Sequence, residues 1–212
     1  AVLPVLCFLQ SLSFLLWPCS VFNRPGIVAV AGSRAMPANG SALIVQITSE
    51  LAARGSSFVV GCCSGADAAL LSAVPGSIPP SMVLCLSAFS SRGEGSAPSS
   101  AVDQVFKFSH SGGVVEWLAG GSLSIYPWIR LANRTKQVIN SANAGLLVFF
   151  SSPRSRGSLL ACRCAIFRGI PVVAFPIDFP SSKLPILGSG KWVYFDSYKG
   201  YLWVKNQQDI FI

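Results

Sequence analysis

The segment Ile27-Val-Ala-Val-Ala-Gly-Ser-Arg34 most narrows what this chain can fold into. Five small or branched apolar residues follow one another without alternation. That is the pattern of a strand buried on both faces, as in the centre of a parallel sheet. Gly32 permits a tight turn and close backbone approach, and Arg34 sets a charge at the turn. Ligands of open α/β sheets lie beyond the carboxyl ends of the strands, against helix N-termini. The turn is therefore a candidate anion site, although one strand ending in Gly-Ser specifies little alone.

The rest of the chain repeats the same alternation. Residues 40–54 have helical spacing, with Leu43, Ile44, Ile47, Leu51 and Ala52 on one face and Gly55 as the stop. Residues 57–60 read as a strand ending in Gly61-Cys-Cys-Ser-Gly65. Asp67 then opens a helix over 67–73, placed as an N-cap or first-turn acid. Residues 82–86 predict a third strand, and the Ser/Gly/Pro-rich stretch 87–100 a mobile loop. Residues 101–125 carry no clear period, and 114–118 are compatible with a helix closed by Gly120-Gly121. A helix over 128–142 carries Arg130, Asn133, Arg134 and Lys136. A buried strand over 145–150 follows, then the small basic loop 151–158, a helix over 159–167 and a last core strand over 171–175. Alternating aromatics, Trp192/Tyr194 and Tyr201/Trp203, predict edge strands in the tail. This order implies an α/β fold with a mostly parallel sheet, flanking helices and right-handed crossovers. The organisation expected is an apolar arm over 1–25, a core domain over 26–178 and an extension of that domain over 179–212.

A chain of 212 residues fits one α/β domain better than two, and 51% apolar residues supply a large core. Charged residues make up only 11%, with a net charge of +8. A basic surplus favours anionic partners such as nucleic acid, nucleotides or acidic lipid. The Arg and Lys residues are scattered, however, and solubility charge is the plainer reading. None of the seven cysteines shows zinc-ligand spacing: Cys62-Cys63 are adjacent, Cys162 and Cys164 are one residue apart, and His110 is distant in sequence. They read as reduced, mostly buried apolar residues of a cytoplasmic protein. The first 23 residues are uncharged, but no basic segment precedes the apolar run. Pro4 and Pro18 bracket only 13 residues, short for a membrane span. An arm packing on the domain or on a second subunit is the expectation, and membrane insertion is not.

Three strand ends thus carry small residues, a glycine and a following helix: Gly32-Ser33-Arg34; Gly61, Ser64, Gly65 and Asp67; and Ser155-Arg156-Gly157-Ser158 after Arg154. Backbone N–H groups at such ends can converge on one anion. The alternative is that the glycines only allow close helix–sheet packing. No Walker-type lysine loop and no strict G-x-G-x-x-G follows a strand.

In their order, Gly32-Ser33-Arg34, Gly61-x-x-x-Gly65-x-Asp67, Asn133-Arg134 and Gly157-Ser158-Leu159 with Ala165 resemble the DprA/Smf DNA-processing proteins, over roughly residues 26–177. That family lies in the wider superfamily of the LOG-type nucleotide hydrolases. The resemblance implies an extended, doubly wound Rossmann-like fold, single-stranded DNA held in a basic pocket, and a strand-exchange recombinase as partner. It implies that Gly32, Ser33 and Arg34 line a first phosphate loop and that Gly61, Gly65 and Asp67 form a second. Asn133 and Arg134 would face the pocket, and Gly157-Ser158 would complete it. The chain departs from the family pattern at Ser64, Leu71, Ala132, Arg156 and Ala161, which marks a divergent member.

The glycosidase signature of the LOG-type enzymes, Pro-Gly-Gly-x-Gly-Thr with a following Glu, is replaced by Ser155-Arg-Gly-Ser158 with no Glu nearby. Departure of a base from ribose needs a carboxylate. Asp67 is the one acid on a candidate loop, and its plain role is a helix cap. No nucleophile elbow accompanies His110. No catalytic residue, metal or cofactor is therefore assigned. Trp17, Trp117 and Phe149 read as core. Trp128, beside Arg130, is the candidate for stacking on a base. Lys183 and Lys191 read as solvated. The function expected is non-catalytic binding of single-stranded nucleic acid, with Arg34, Arg134, Arg154 and Arg156 holding phosphates and Arg130 nearby. The rivals are a nucleotide sensor or nucleotide N-glycosidase using the same pocket, and a self-assembling protein joined through its apolar arm. A homodimer is the expected oligomer.

Overall fold

Apolar runs without alternation can be buried only where both faces of a strand are covered, and these runs form the middle of the sheet. The computed structural model describes residues 22, 24–95 and 99–206. Most of the expected arm, with Trp17, lies outside them. Strands β1 (Ile27–Gly32), β2 (Ser57–Val60), β3 (Val83–Leu86), β4 (Val114–Glu116), β5 (Gly145–Phe150) and β6 (Val172–Pro176) are mutually parallel. Strands β7 (Gly190–Phe195) and β8 (Gly200–Lys205) close one side, β8 running antiparallel to both β6 and β7. The order across the sheet is β4-β3-β2-β1-β5-β6-β8-β7.

Side chains alternate between two cores. Val28 and Val30 of β1, with Leu147 and Phe149 of β5, pack under α1 (Ala38–Ala53), α2 (Ala66–Ser72) and α3 (Ser99–His110). Ala29, Leu146, Val148 and Phe150 pack under α4 (Pro127–Ser141) and α5 (Arg156–Phe167). This is the doubly wound, Rossmann-like α/β architecture. The chain winds outward from β1 through β2, β3 and β4 in one direction, then returns through α4 to place β5 on the other side of β1. The switch of direction falls between β1 and β5, where such folds open a crevice. No described helix is long and apolar enough to cross a membrane.

Three local expectations are corrected. Residues 114–118 are not a helix: Val114–Glu116 pair in parallel with Leu84–Leu86, after α3 ends in a turn with Gly112 at φ +89°. The stretch after β3 is tied down where it is described. Ser87, Ala88, Phe89 and Ser90 are buried, the Ser87 N–H donates to the Glu116 carbonyl at 2.8 Å, and Ser90 Oγ donates to Glu94 at 3.0 Å. Of the two tail strands only β7 is an edge, because β8 lies between it and β6.

Candidate phosphate-binding cleft at the switch point

The end of β1 is built for close approach. A Cβ on Gly32 would lie 2.6 Å from the Phe149 carbonyl and collide with Ala66, so only glycine lets α2 and β5 come this near. Ser33 is buried, and its N–H donates to the Phe149 carbonyl at 2.9 Å. Its hydroxyl accepts from the Ser151 N–H at 2.9 Å, which locks the β1 and β5 ends together. Arg34 is exposed and lines a cleft of about 760 Å³, within the range of small-ligand sites.

The second strand end holds a buried ion pair. Arg134 Nη1 donates to Asp67 Oδ2 at 3.3 Å, with both side chains 7% exposed. The same carboxylate oxygen accepts from the Cys63 N–H at 3.0 Å, and Arg134 Nη2 donates to Cys63 Sγ at 2.9 Å. Any Cβ on Gly61 would overlap the guanidinium and meet the carboxylate, so this glycine makes room for the pair. Gly65, at φ +75°, caps α2 against the Ser33 and Arg34 carbonyls. Burial pushes the Asp67 carboxyl up to about 6, and Arg134 pulls it partly back. Burial also opposes the Arg134 charge, but Cys63, Cys62 and Asp67 outweigh it and hold the guanidinium protonated. The Cys63 thiol donates to Cys62, which lowers Cys62 to about 7 and pushes Cys63 up.

The third strand end leads into α5, which starts at Arg156, three residues before the sequence pattern suggests. Gly157 and Ser158 therefore belong to its first turn. Its N-cap Ser155 makes no side-chain bond to the helix backbone, and its first turn contains no acid. Instead the Ser155 and Ser158 hydroxyls share a 2.8 Å hydrogen bond. Arg156 and Gly157 are exposed on the cleft, with open space around Gly157.

Gly32, Arg34, Asp67, Arg134, Ser155, Arg156 and Gly157 of the sequence-derived set thus meet at one cleft. Ser33, Gly61, Gly65 and Ser158 stand behind it as framework. Ser64 and Arg154 do not line it. Neither does Arg130, which is 2% exposed and donates through Nη2 to the Gly95 carbonyl at 2.6 Å. Asn133 donates to the Gly120 carbonyl at 3.3 Å. Both side chains are committed to backbone carbonyls of residues outside the cleft lining, Gly95 and Gly120. Arg134 lines the cleft but is already bound to Asp67 and Cys63, which makes it framework as well as wall. The sequence reading missed Cys63, Leu131, Thr135, Val138 and Leu160 as lining residues. Only the α4 positions carried a signal, a stripe at three- and four-residue spacing.

An open, doubly wound sheet with a crevice at its switch point defines the class. The fold is that of DNA processing protein A. The structure of that protein from Helicobacter pylori, whose single-stranded DNA binding mode has been described, superposes with a TM-score of 0.58 at 19% identity, over 76% of this chain and 69% of that one. The Streptococcus pneumoniae protein superposes with a TM-score of 0.55 at 18% identity; 76% of this chain is matched and only about half, 54%, of the pneumococcal one. No family model and no curated protein matches the sequence.

Proposed function

We propose that this protein binds single-stranded DNA without cleaving it, gripping the phosphates in the switch-point cleft. The observation that carries this is the exposed pair Arg34 and Arg156 on a wall that also offers the first-turn N–H groups of α5, to which the Ser155 side chain gives no cap. A phosphodiester is an anion with acceptor oxygens of the kind these donors lack. The net charge of +8 and the DprA-like fold support the same ligand class. Asp67, the carboxylate on the cleft, is engaged by Arg134 and the Cys63 N–H. That engagement favours binding over the glycosidase alternative, which needs a carboxylate available to the sugar or to water.

Fluorescence anisotropy with labelled oligo-dT of increasing length tests the proposal, with mononucleotides as competitors. Affinity is expected to rise with length and to fall as salt is added. Arg34→Ala combined with Arg156→Ala is expected to weaken binding at least tenfold. Absence of binding at low salt by folded protein defeats the proposal. A mononucleotide that competes as well as the strand moves the assignment to a nucleotide sensor.

A further inference from the structure

The two walls of the cleft differ in chemistry. One is basic and polar, made of Arg34, Ser155 and the start of α5 at Arg156 and Gly157. The other is α4, which presents Trp128, Leu131, Thr135 and Val138 to the cleft. Their spacing of three and four residues puts them in one stripe along the helix. Trp128, the second residue of α4, heads that stripe and is 70% exposed, as is Tyr126 just before the helix. Pro127 occupies the first turn, where its fixed φ sets the start of the helix and so the point from which the indole projects.

The exposure of Trp128 is out of keeping with the other described tryptophans. Trp117 packs on Phe89 and Phe106, and Trp192 packs edge-on against Trp203. No ring pair among the described residues includes Trp128. An exposed, unpartnered indole lining a basic crevice is a surface that a flat, aromatic, phosphate-bearing ligand would cover.

We infer that Trp128 is a base-stacking platform, so that one nucleotide of the strand spans the cleft, its phosphate toward Arg34 and Arg156 and its base against the indole. This rests on the proposal that the ligand is single-stranded DNA. It adds a second, uncharged subsite with a separate signature. A phosphate contact releases counterions on binding and sets the salt dependence, whereas stacking does not.

The experiment compares wild type, Trp128→Ala and Trp128→Phe on oligo-dT and on a strand of equal length made of abasic spacers, each over a salt series. Trp128→Ala should weaken oligo-dT binding roughly tenfold, the usual scale for one stacked base, with the slope of log affinity against log salt unchanged. Trp128→Phe should retain most of the affinity. Wild type should bind the abasic strand more weakly than oligo-dT by a comparable factor, and Trp128→Ala should bind the two alike. The inference is overturned if Trp128→Ala binds oligo-dT as wild type does, or if it loses the same factor on both strands. Wild type that binds neither strand at low salt would instead remove the nucleic-acid proposal itself. Because Trp128 is exposed, all three proteins should unfold at the same urea midpoint. A lower midpoint for Trp128→Ala would place the indole in the structural core and overturn the inference.

Discussion

The centre of the site is a single interaction between residues 67 positions apart. Asp67 lies in the first turn of α2, where its charge suits the helix dipole, yet its partners are Arg134 on α4 and the Cys63 N–H. In the sequence Asp67 reads as a helix cap or a member of the second phosphate loop and Arg134 as a phosphate ligand, because nothing local links 67 to 134. The glycine that admits both, Gly61, was legible only as a turn residue. The pair has a definite pH signature. In the unfolded chain Asp67 titrates near its ordinary 3.8, and in the folded protein burial raises it to about 6. Between those values the folded state binds the proton more readily than the unfolded state. The contribution of Asp67 to stability is therefore fully present below pH 4 and is lost as pH rises through 6. At about 1.4 kcal/mol per pKa unit, the full loss is on the order of 3 kcal/mol. Asp67→Asn cannot titrate. The urea-unfolding free energy of wild type minus that of Asp67→Asn should accordingly fall between pH 4 and pH 6.5 and then level off. A rise across the same window would mean that Asp67 behaves as an ordinary paired carboxylate with a depressed pKa.

In the proposed binding mode, the start of helix α5 links stability to binding. Its N-cap Ser155 turns its hydroxyl to Ser158 rather than to a backbone N–H, and the first turn has no acid, so its positive end is left to the cleft. Ser155→Asp supplies both the missing cap and the missing charge. It should stabilise the protein by about 0.5–1 kcal/mol in urea unfolding while weakening oligonucleotide binding at least tenfold, since a carboxylate would then occupy the place of a phosphate. If affinity is unchanged, the start of α5 does not contact the strand. The elements themselves were legible to very different degrees. Strands β2 and β5 fall on the predicted residues 57–60 and 145–150, because a strand buried on both faces writes an unbroken apolar run into the sequence. Strand β4 did not, because it is a three-residue edge strand with Val114 59% exposed, so neither run length nor alternation marks it. Helix α3 was lost with it, in a stretch whose apolar positions gave no clear period. The α5 start was placed too late because its first turn is Arg-Gly-Ser, residues that propensity assigns to a loop.

On the scale of the whole molecule, the question is whether the charge of +8 acts as a diffuse attraction or through the cleft. The two differ in how affinity responds to salt. A contact that neutralises a phosphate releases its condensed counterion and adds about 0.7 to the slope of log affinity against log salt for a single strand. A distant surface charge contributes only a screened field that fades beyond a Debye length, roughly 10 Å at 0.1 M salt. Arg34 and Arg156 line the cleft, whereas Lys183 and Lys191 sit beyond β6, around the hairpin at the opposite side of the sheet from β4. Replacing either pair by alanine removes two positive charges and leaves the same net charge. Arg34→Ala/Arg156→Ala should flatten the slope by about 1.4, two contacts at 0.7 each. Lys183→Ala/Lys191→Ala should leave the slope as in wild type and lower affinity by less than about threefold at 0.1 M salt. Equal flattening by both pairs would mean that the strand is held by the basic surface at large. The crevice between β1 and β5 would then be an incidental feature of the fold rather than its binding site.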